Sequence, residues 1–319
     1  MKHRIERTVG IADDKQLSAL VDLDSHEAVL DEVLDTLGLI PLDDYVTSLS
    51  SVYTFSVDLY EGRHEGYRSC NTEYHNLHHT KDTFLTMARL IHGAAISGVF
   101  LSDRQVILSL IASLAHDTGY IQAASDRKGT GAKYTANHVQ RSMDFLERHA
   151  AEYSLSAEEA TQCQLMILCT DIAFDISETS FPSLESELLC KMLGAADLLA
   201  QMADRVYLEK LLFLYYELKE ANIGDYESEL DLLKKTVKFY GAISDRLEAM
   251  HIDVDRFLTS HFASRWDIQE NLYDKAIQRQ REYLAQILRI PDSDPTDFLK
   301  RDMIVEKVHR QYAHPINRL

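Results

Sequence analysis

No proline occurs between Pro41 and Pro182, a stretch that holds nearly half of the 319 residues. Proline is the strongest breaker of a helix interior, so this interval is free to be helix after helix. The whole chain has five prolines and twelve glycines. An all-β fold with many tight turns needs more than that. Apolar residues recur at helical spacing over 27–37, where Val29, Leu30, Val33, Leu34 and Leu37 share a face. Further helices are expected over 81–98, 103–116 (capped by Ser102), 135–150, 157–170, 185–197, 200–221, 229–250 and 271–290. Ser156 followed by Glu159 is a capping-box pattern that opens the helix at 157. The expected fold is all-α, compact and built from many helices. The first 45 residues read as an appended helical segment, 46–290 as the main domain and 291–319 as a charged tail.

Acidic residues number 51 against 33 basic ones, a formal charge of −18. A phosphate-binding nucleic-acid face wants the opposite sign, and an anionic membrane surface is disfavoured too. Met1-Lys2-His3-Arg4-Ile5-Glu6-Arg7 has no apolar run behind it, so no secretory signal is expected. The longest nearly apolar stretch, Val106 to Ala115, is too short to span a bilayer. Cys70, Cys163, Cys169 and Cys190 form no Cys-x-x-Cys pair and read as free thiols. A reduced, cytoplasmic setting is the expectation. The segment Ser125 to Lys133 is polar, locally basic and glycine-containing, and reads as a solvated loop. The stretch Leu211-Leu212-Phe213-Leu214-Tyr215-Tyr216 is apolar over too wide an arc for a surface helix. It is either buried or part of a homodimer face.

Three clusters carry chemistry. In Tyr74-His75-Asn76-Leu77-His78-His79, His75 and His79 are four apart, and Asp82 follows three residues later. On a helix that spacing places the side chains toward one side. The apolar run Val106–Ala115 ends in His116-Asp117. A buried carboxylate there needs a partner, and a divalent cation would satisfy both residues. In Gly194-Ala195-Ala196-Asp197-Leu198-Leu199 a single carboxylate sits inside an apolar helix, to be met by a metal or by a cation such as Arg205. Asp171, in Cys169-Thr170-Asp171, ends another apolar helix and could cap, pair or orient water.

This ordered set resembles the HD superfamily of metal-dependent phosphohydrolases, and within it the class I 3',5'-cyclic nucleotide phosphodiesterases. The resemblance rests on Tyr74-His75-Asn76-Leu77-His78-His79 with Asp82, on His116-Asp117, and on Asn137-His138. It continues through Cys169-Thr170-Asp171, Ala195-Ala196-Asp197-Leu198 and Asp204-Arg205, and runs from about Val52 to about Leu284. It implies a helical domain with a deep pocket. It also implies that His79, His116, Asp117 and Asp197 bind a divalent metal ion, with one or two ions per chain drawn from Mn, Mg, Fe, Ni or Zn. By the same resemblance His75 is the general acid, Asp82 positions its neighbours, and His138 and Asp171 lie around the ion. The implied substrate is a small nucleotide, cyclic by preference, cleaved at a phosphodiester. An HD-type nucleotidase and a catalytically silent metal-binding sensor are the alternatives. Two positions depart from the family. Tyr120 stands where a further His is usual, and Thr236 stands where a base-reading Gln is usual, three residues before Phe239, the candidate to stack on the base.

Overall fold

A computed structural model describes residues 16–42, 46–176 and 178–312. These residues form an all-helical bundle. The helices, in chain order, are α1 (His26–Leu37), α2 (Val46–Tyr60), α3 (Leu77–Ile96), α4 (Asp103–Ala115), α5 (His138–Arg148) and α6 (Ala157–Leu168). They continue with α7 (Leu184–Ala203), α8 (Tyr207–Glu220), α9 (Glu229–Ala249), α10 (Val254–Trp266), α11 (Leu272–Ile287) and α12 (Ile304–Tyr312). Short 3-10 turns lie at Thr118–Tyr120 and Gly131–Asn137, beside the site described below.

α3 is the axis of the molecule. From His79 to Ala94 every residue is buried. α1, α4, α7 and α10 pack around it. The approach of α10 needs Gly93, because a Cβ there would stand 1.8 Å from the Phe257 carbonyl oxygen. α3 begins at Leu77, earlier than its apolar spacing predicts, because the Asn76 side chain accepts from the His79 N–H and caps the helix. The polar run His78-His79-Thr80-Lys81 hides that start from a periodicity argument. α4 is buried throughout from Val106 to Ala115, as its sequence predicts. Ser102 precedes it, but its hydroxyl makes no cap; its backbone N–H donates to Glu185 instead. The Ser156–Glu159 capping box forms at the start of α6.

Two apolar clusters divide the bundle. The larger holds α1 to α7 together with α10 and part of α11. The smaller is built on α8, α9 and α12, with Leu284 and Ile287 of α11. Leu208, Leu211, Leu212, Phe213 and Tyr215 of α8 are buried in it, so the wide apolar arc is covered by the chain itself. The helix expected at 200–221 is interrupted. α7 runs on to Ala203, and Asp204 then breaks the chain by accepting from the Val206 N–H. The expected helix at 135–150 is a 3-10 turn followed by α5, joined at His138.

Val29, Val33 and Leu37 of α1 belong to the same core as α3, and Leu299, Ile304, Val305 and Val308 are buried in the smaller core. Residues 26–40 and 299–308 are therefore built into the bundle. Residues 1–15, 43–45 and 313–319, which belong to the expected terminal segments, lie outside the described residues. The 125–133 segment is only partly solvated. Thr130, Gly131 and Ala132 are buried, and Glu220 of α8 accepts from both the N–H and the hydroxyl of Thr130. Cys163, Cys169 and Cys190 are buried free thiols, and Cys70 is half-buried and free. Among the described residues no helix is long and apolar enough to cross a membrane.

Candidate metal centre

Three helices deliver side chains to one point. α3 supplies His79 from its first turn. The turn after α4 supplies His116 and Asp117, and the middle of α7 supplies Asp197. All four are more than nine-tenths buried. Nε2 of His79 lies 2.9 Å from Asp197 Oδ1 and 3.5 Å from Asp117 Oδ2. Nε2 of His116 lies 3.4 Å from Asp117 Oδ2 and 3.6 Å from Asp197 Oδ1. The two Nε2 atoms are 3.3 Å apart. His79, His116 and Asp117 together have the spacing of a metal-binding group.

Hydrogen bonding fixes what these atoms can be. His116 Nδ1 donates to the Ser113 carbonyl at 2.7 Å, so in the neutral imidazole Nε2 carries the lone pair. That lone pair faces His79 Nε2 and two carboxylates. Asp117 Oδ2 is buried and has no hydrogen-bond partner among the described residues. A buried, orphaned carboxylate oxygen beside convergent lone pairs asks for a cation. Charges on the cluster agree. Burial works to lower the His116 pKa, but Asp117 and Asp197 outweigh it and push it up to about 9. Burial works to raise the Asp197 pKa, but its hydrogen bonds to His116 and His79 hold it well below the usual carboxylate range. Asp117 is likewise held down against burial, by His116, His75, His79 and His138. The potential that retains a proton here would retain a divalent ion. Two imidazoles and two carboxylates suit Zn, Fe, Ni or Mn.

Around this point the chain adds three supports. Gln201, one turn after Asp197, donates to Asp197 Oδ1 at 2.8 Å and accepts from the Tyr74 hydroxyl at 3.0 Å. His138 donates from Nδ1 to the Thr135 carbonyl and turns Nε2 toward Asp117 Oδ1 at 3.8 Å. Burial lowers the His138 pKa, so it is a neutral donor atom. Glu217 of α8 accepts from His75 Nδ1 at 2.8 Å through one oxygen and from the N–H groups of Glu73 and Tyr74 through the other. Burial works against the charged His75, yet the bond and charge of Glu217 raise its pKa on balance. Neither Gln201 nor Glu217 was singled out in the sequence. An i, i+4 partner of Asp197 was a readable signal for the first; for the second, the apolar run Leu211–Tyr216 signals burial but not the partner.

Tyr120 fills the place between two of these groups. Its ring stacks on His75 at a centroid distance of 4.5 Å and on His138 at 4.7 Å. The 3-10 turn that carries it lies so close to α5 that a Cβ at Gly119 would stand 2.0 Å from the His138 carbonyl oxygen.

The remaining sequence candidates make other contacts, although Asp82 shares a small cavity with His79 and Gln201. Asp82 is buried, with Asp204, Arg89 and Lys210 as its charged neighbours. Burial first, and Asp204 next, push it up to about 7. It lines a cavity of about 370 Å³ together with Arg89, Asp204 and Lys210, and His116, Asp117 and Asp197 are not in that lining. Arg205 pairs with Asp302, not with Asp197. The Asp171 carboxylate accepts from the Ala173 N–H at 2.8 Å and so caps its own turn. Phe239 on α9 is 37% exposed, and Thr236 is buried with its hydroxyl donating to the Leu232 carbonyl.

No curated protein and no solved structure matches the chain. A family model described as Npun_R2479-like matches residues 63–253, more than half of the chain, and spans every donor of the cluster. The chain belongs to the Npun_R2479-like family.

Proposed function

We propose that the protein is a divalent-metal-dependent hydrolase of phosphate esters, acting on a nucleotide phosphodiester. The observation that carries this reading is the convergence of His79, His116, Asp117 and Asp197 beside an imidazole, His75, whose pKa an acidic partner raises. A divalent ion supplies charge neutralisation for phosphoryl oxygens and acidifies water. His79, His116, Asp117 and Asp197 would hold it. Asp117 Oδ1 and His138 Nε2, 3.8 Å apart, would be donors to a second ion, and Tyr120 stacks on His75 and His138 beside them.

His75 supplies the proton. Glu217 holds its Nδ1–H, leaving Nε2 to donate to a leaving oxygen when the ring is charged. Tyr120 fixes the plane of that ring by stacking. A nucleotide diester and a nucleoside monophosphate both release an alkoxide, which such an acid protonates. The phosphodiesterase resemblance of Tyr74-His75-Asn76-Leu77-His78-His79 points to a cyclic nucleotide as the diester.

The test is an assay of the purified chain and its Asp117→Ala variant with added Mn or Mg. Substrates are bis-p-nitrophenyl phosphate, p-nitrophenyl phosphate and a panel of cyclic and linear nucleotides. The expected result is diester cleavage that Asp117→Ala abolishes. Cleavage of monoesters alone would move the reading to a nucleotidase. Bound metal without turnover would make the protein a sensor.

A further inference from the structure

The loop after α2 meets the C-terminal end of α5 at the surface. One donor atom each from His64, His149 and Glu152 lies within 4.8 Å of the other two. His149 Nδ1 is 3.0 Å from Glu152 Oε1. None of these residues touches the deep cluster, and nothing in the proposed reaction uses them.

The second nitrogen of each imidazole is already engaged. His64 Nδ1 donates to the Glu65 carbonyl at 3.1 Å, which leaves Nε2 with its lone pair. His149 Nε2 shares a 2.8 Å hydrogen bond with the Tyr67 hydroxyl, 82 residues away in sequence. Without an ion, His149 Nδ1 donates to Glu152 Oε1 at 3.0 Å; with Nε2 as the donor to Tyr67, Nδ1 has a lone pair and an ion would take the place of that proton. Ring contacts hold both imidazoles in place. Phe145 stacks on His149 at 4.3 Å, and Phe55 meets His64 edge-on at 5.0 Å. Outer hydrogen bonds and packed rings of this kind orient imidazoles that bind metals. Glu152 is largely exposed, so water can complete the coordination.

We infer that His64, His149 and Glu152 form a second metal site, for a borderline divalent cation such as zinc, with three protein donors and an open position. Two imidazoles and one carboxylate are a donor set that zinc accepts readily. An ion here would fasten the loop that leads into Asn71, Thr72 and His75 onto the end of α5. The inference is independent of the proposed hydrolase reading.

The full chain, freed of metal with a chelator, is titrated with zinc by calorimetry, and bound metal is counted by elemental analysis. Two equivalents are expected in the wild type. His64→Ala and Glu152→Gln should each lose one equivalent and keep the one that Asp117→Ala removes. Tyr67→Phe should keep two equivalents but weaken one of them by about tenfold or more. Circular dichroism in chelator checks that each variant folds; Glu152→Gln, at an exposed side chain, carries the test if His64→Ala does not fold. The site is overturned if His64→Ala and Glu152→Gln bind as much zinc as the wild type with the same affinity. It is also overturned if the wild type binds only the equivalent lost in Asp117→Ala.

Discussion

α3 carries one member of each of two buried imidazole pairs, and the pairs are opposite in character. At its first turn His79 faces His116, with Nε2 atoms 3.3 Å apart. Near its other end His92 faces His261, with Nδ1 atoms 3.1 Å apart. Asp117 and Asp197 stand within 3.6 Å of the first pair. The charged neighbours of the second are Arg89 and Arg265. Burial, with Arg265, pushes His92 down to about 4, and burial, with Arg89, His92 and Arg265, pushes His261 down to about 2. His116 in the first pair is pushed up to about 9. The residue type, the helix and the burial are shared, so none of them makes a cation site. The carboxylates do.

The comparison can be broken first at the carboxylates. Asp117→Ala should cut phosphodiester hydrolysis by about 10³-fold or more and remove the bound ion. His92→Leu, at an equally buried imidazole on the same helix, should leave metal content and turnover unchanged. Metal analysis and kcat/KM on the two purified variants decide between them. Equal loss of metal in both would erase the distinction.

The second pair makes its own prediction through pH. Both folded pKa values lie below the ordinary 6.5, so the unfolded chain binds more protons than the native one in acid. The stability these neutral rings allow is present above pH 6.5 and is lost as pH falls toward about 4 and below. Each pKa unit is about 1.4 kcal/mol, so His92 alone accounts for roughly 3 kcal/mol of acid sensitivity. The double variant His92→Leu/His261→Phe should flatten the fall of the melting temperature between pH 6.5 and 4. Thermal denaturation across that range checks it.

A finer test sharpens the role of Glu217. Its bond and charge raise the His75 pKa above what burial would leave. An acid must be protonated to act, so the rate falls as pH rises through that pKa. Glu217→Gln should shift the falling limb of the pH–rate profile to lower pH and cost about tenfold in kcat near neutrality. KM and bound metal should stay as in the wild type. A profile that does not move would remove His75 from the role of acid.

Much of the candidate site was legible in the sequence, for a physical reason. His116 and Asp117 end a run of ten residues, Val106 to Ala115, all of which are buried, and polar side chains in that position need partners. Asp197 is legible in the same way inside α7. The charged neighbours of Asp82 were not legible. A step of three residues along a helix turns about 300°, so the side chain lies roughly 60° away from His79. On a helix buried on every side, that turn is enough to give it different neighbours, here Arg89, Asp204 and Lys210. The role of Glu217 was hidden because its partner lies 142 residues earlier; the apolar run Leu211–Tyr216 before it signals burial but not what it meets. The helix boundaries at Leu77 and Asp204 were missed because side chains of Asn76 and Asp204, not apolar spacing, set them.

The Glu217 carboxylate spans the two halves of the molecule. It belongs to α8, whose apolar side chains form the smaller core together with Tyr74, while Glu73, Tyr74 and His75, which it grips, lead into the helix at the centre of the larger one. During synthesis His75, His79, His116 and Asp117 all emerge long before Glu217 does. An early chain therefore holds three of the four ion donors yet no restrained proton donor, and Asp197 completes the donors before α8 completes the acid. On the proposed reading, the residues that would hold the ion are all synthesised before the residue that holds the acid. On that reading, turnover would report whether α8 has docked against the residues before α3.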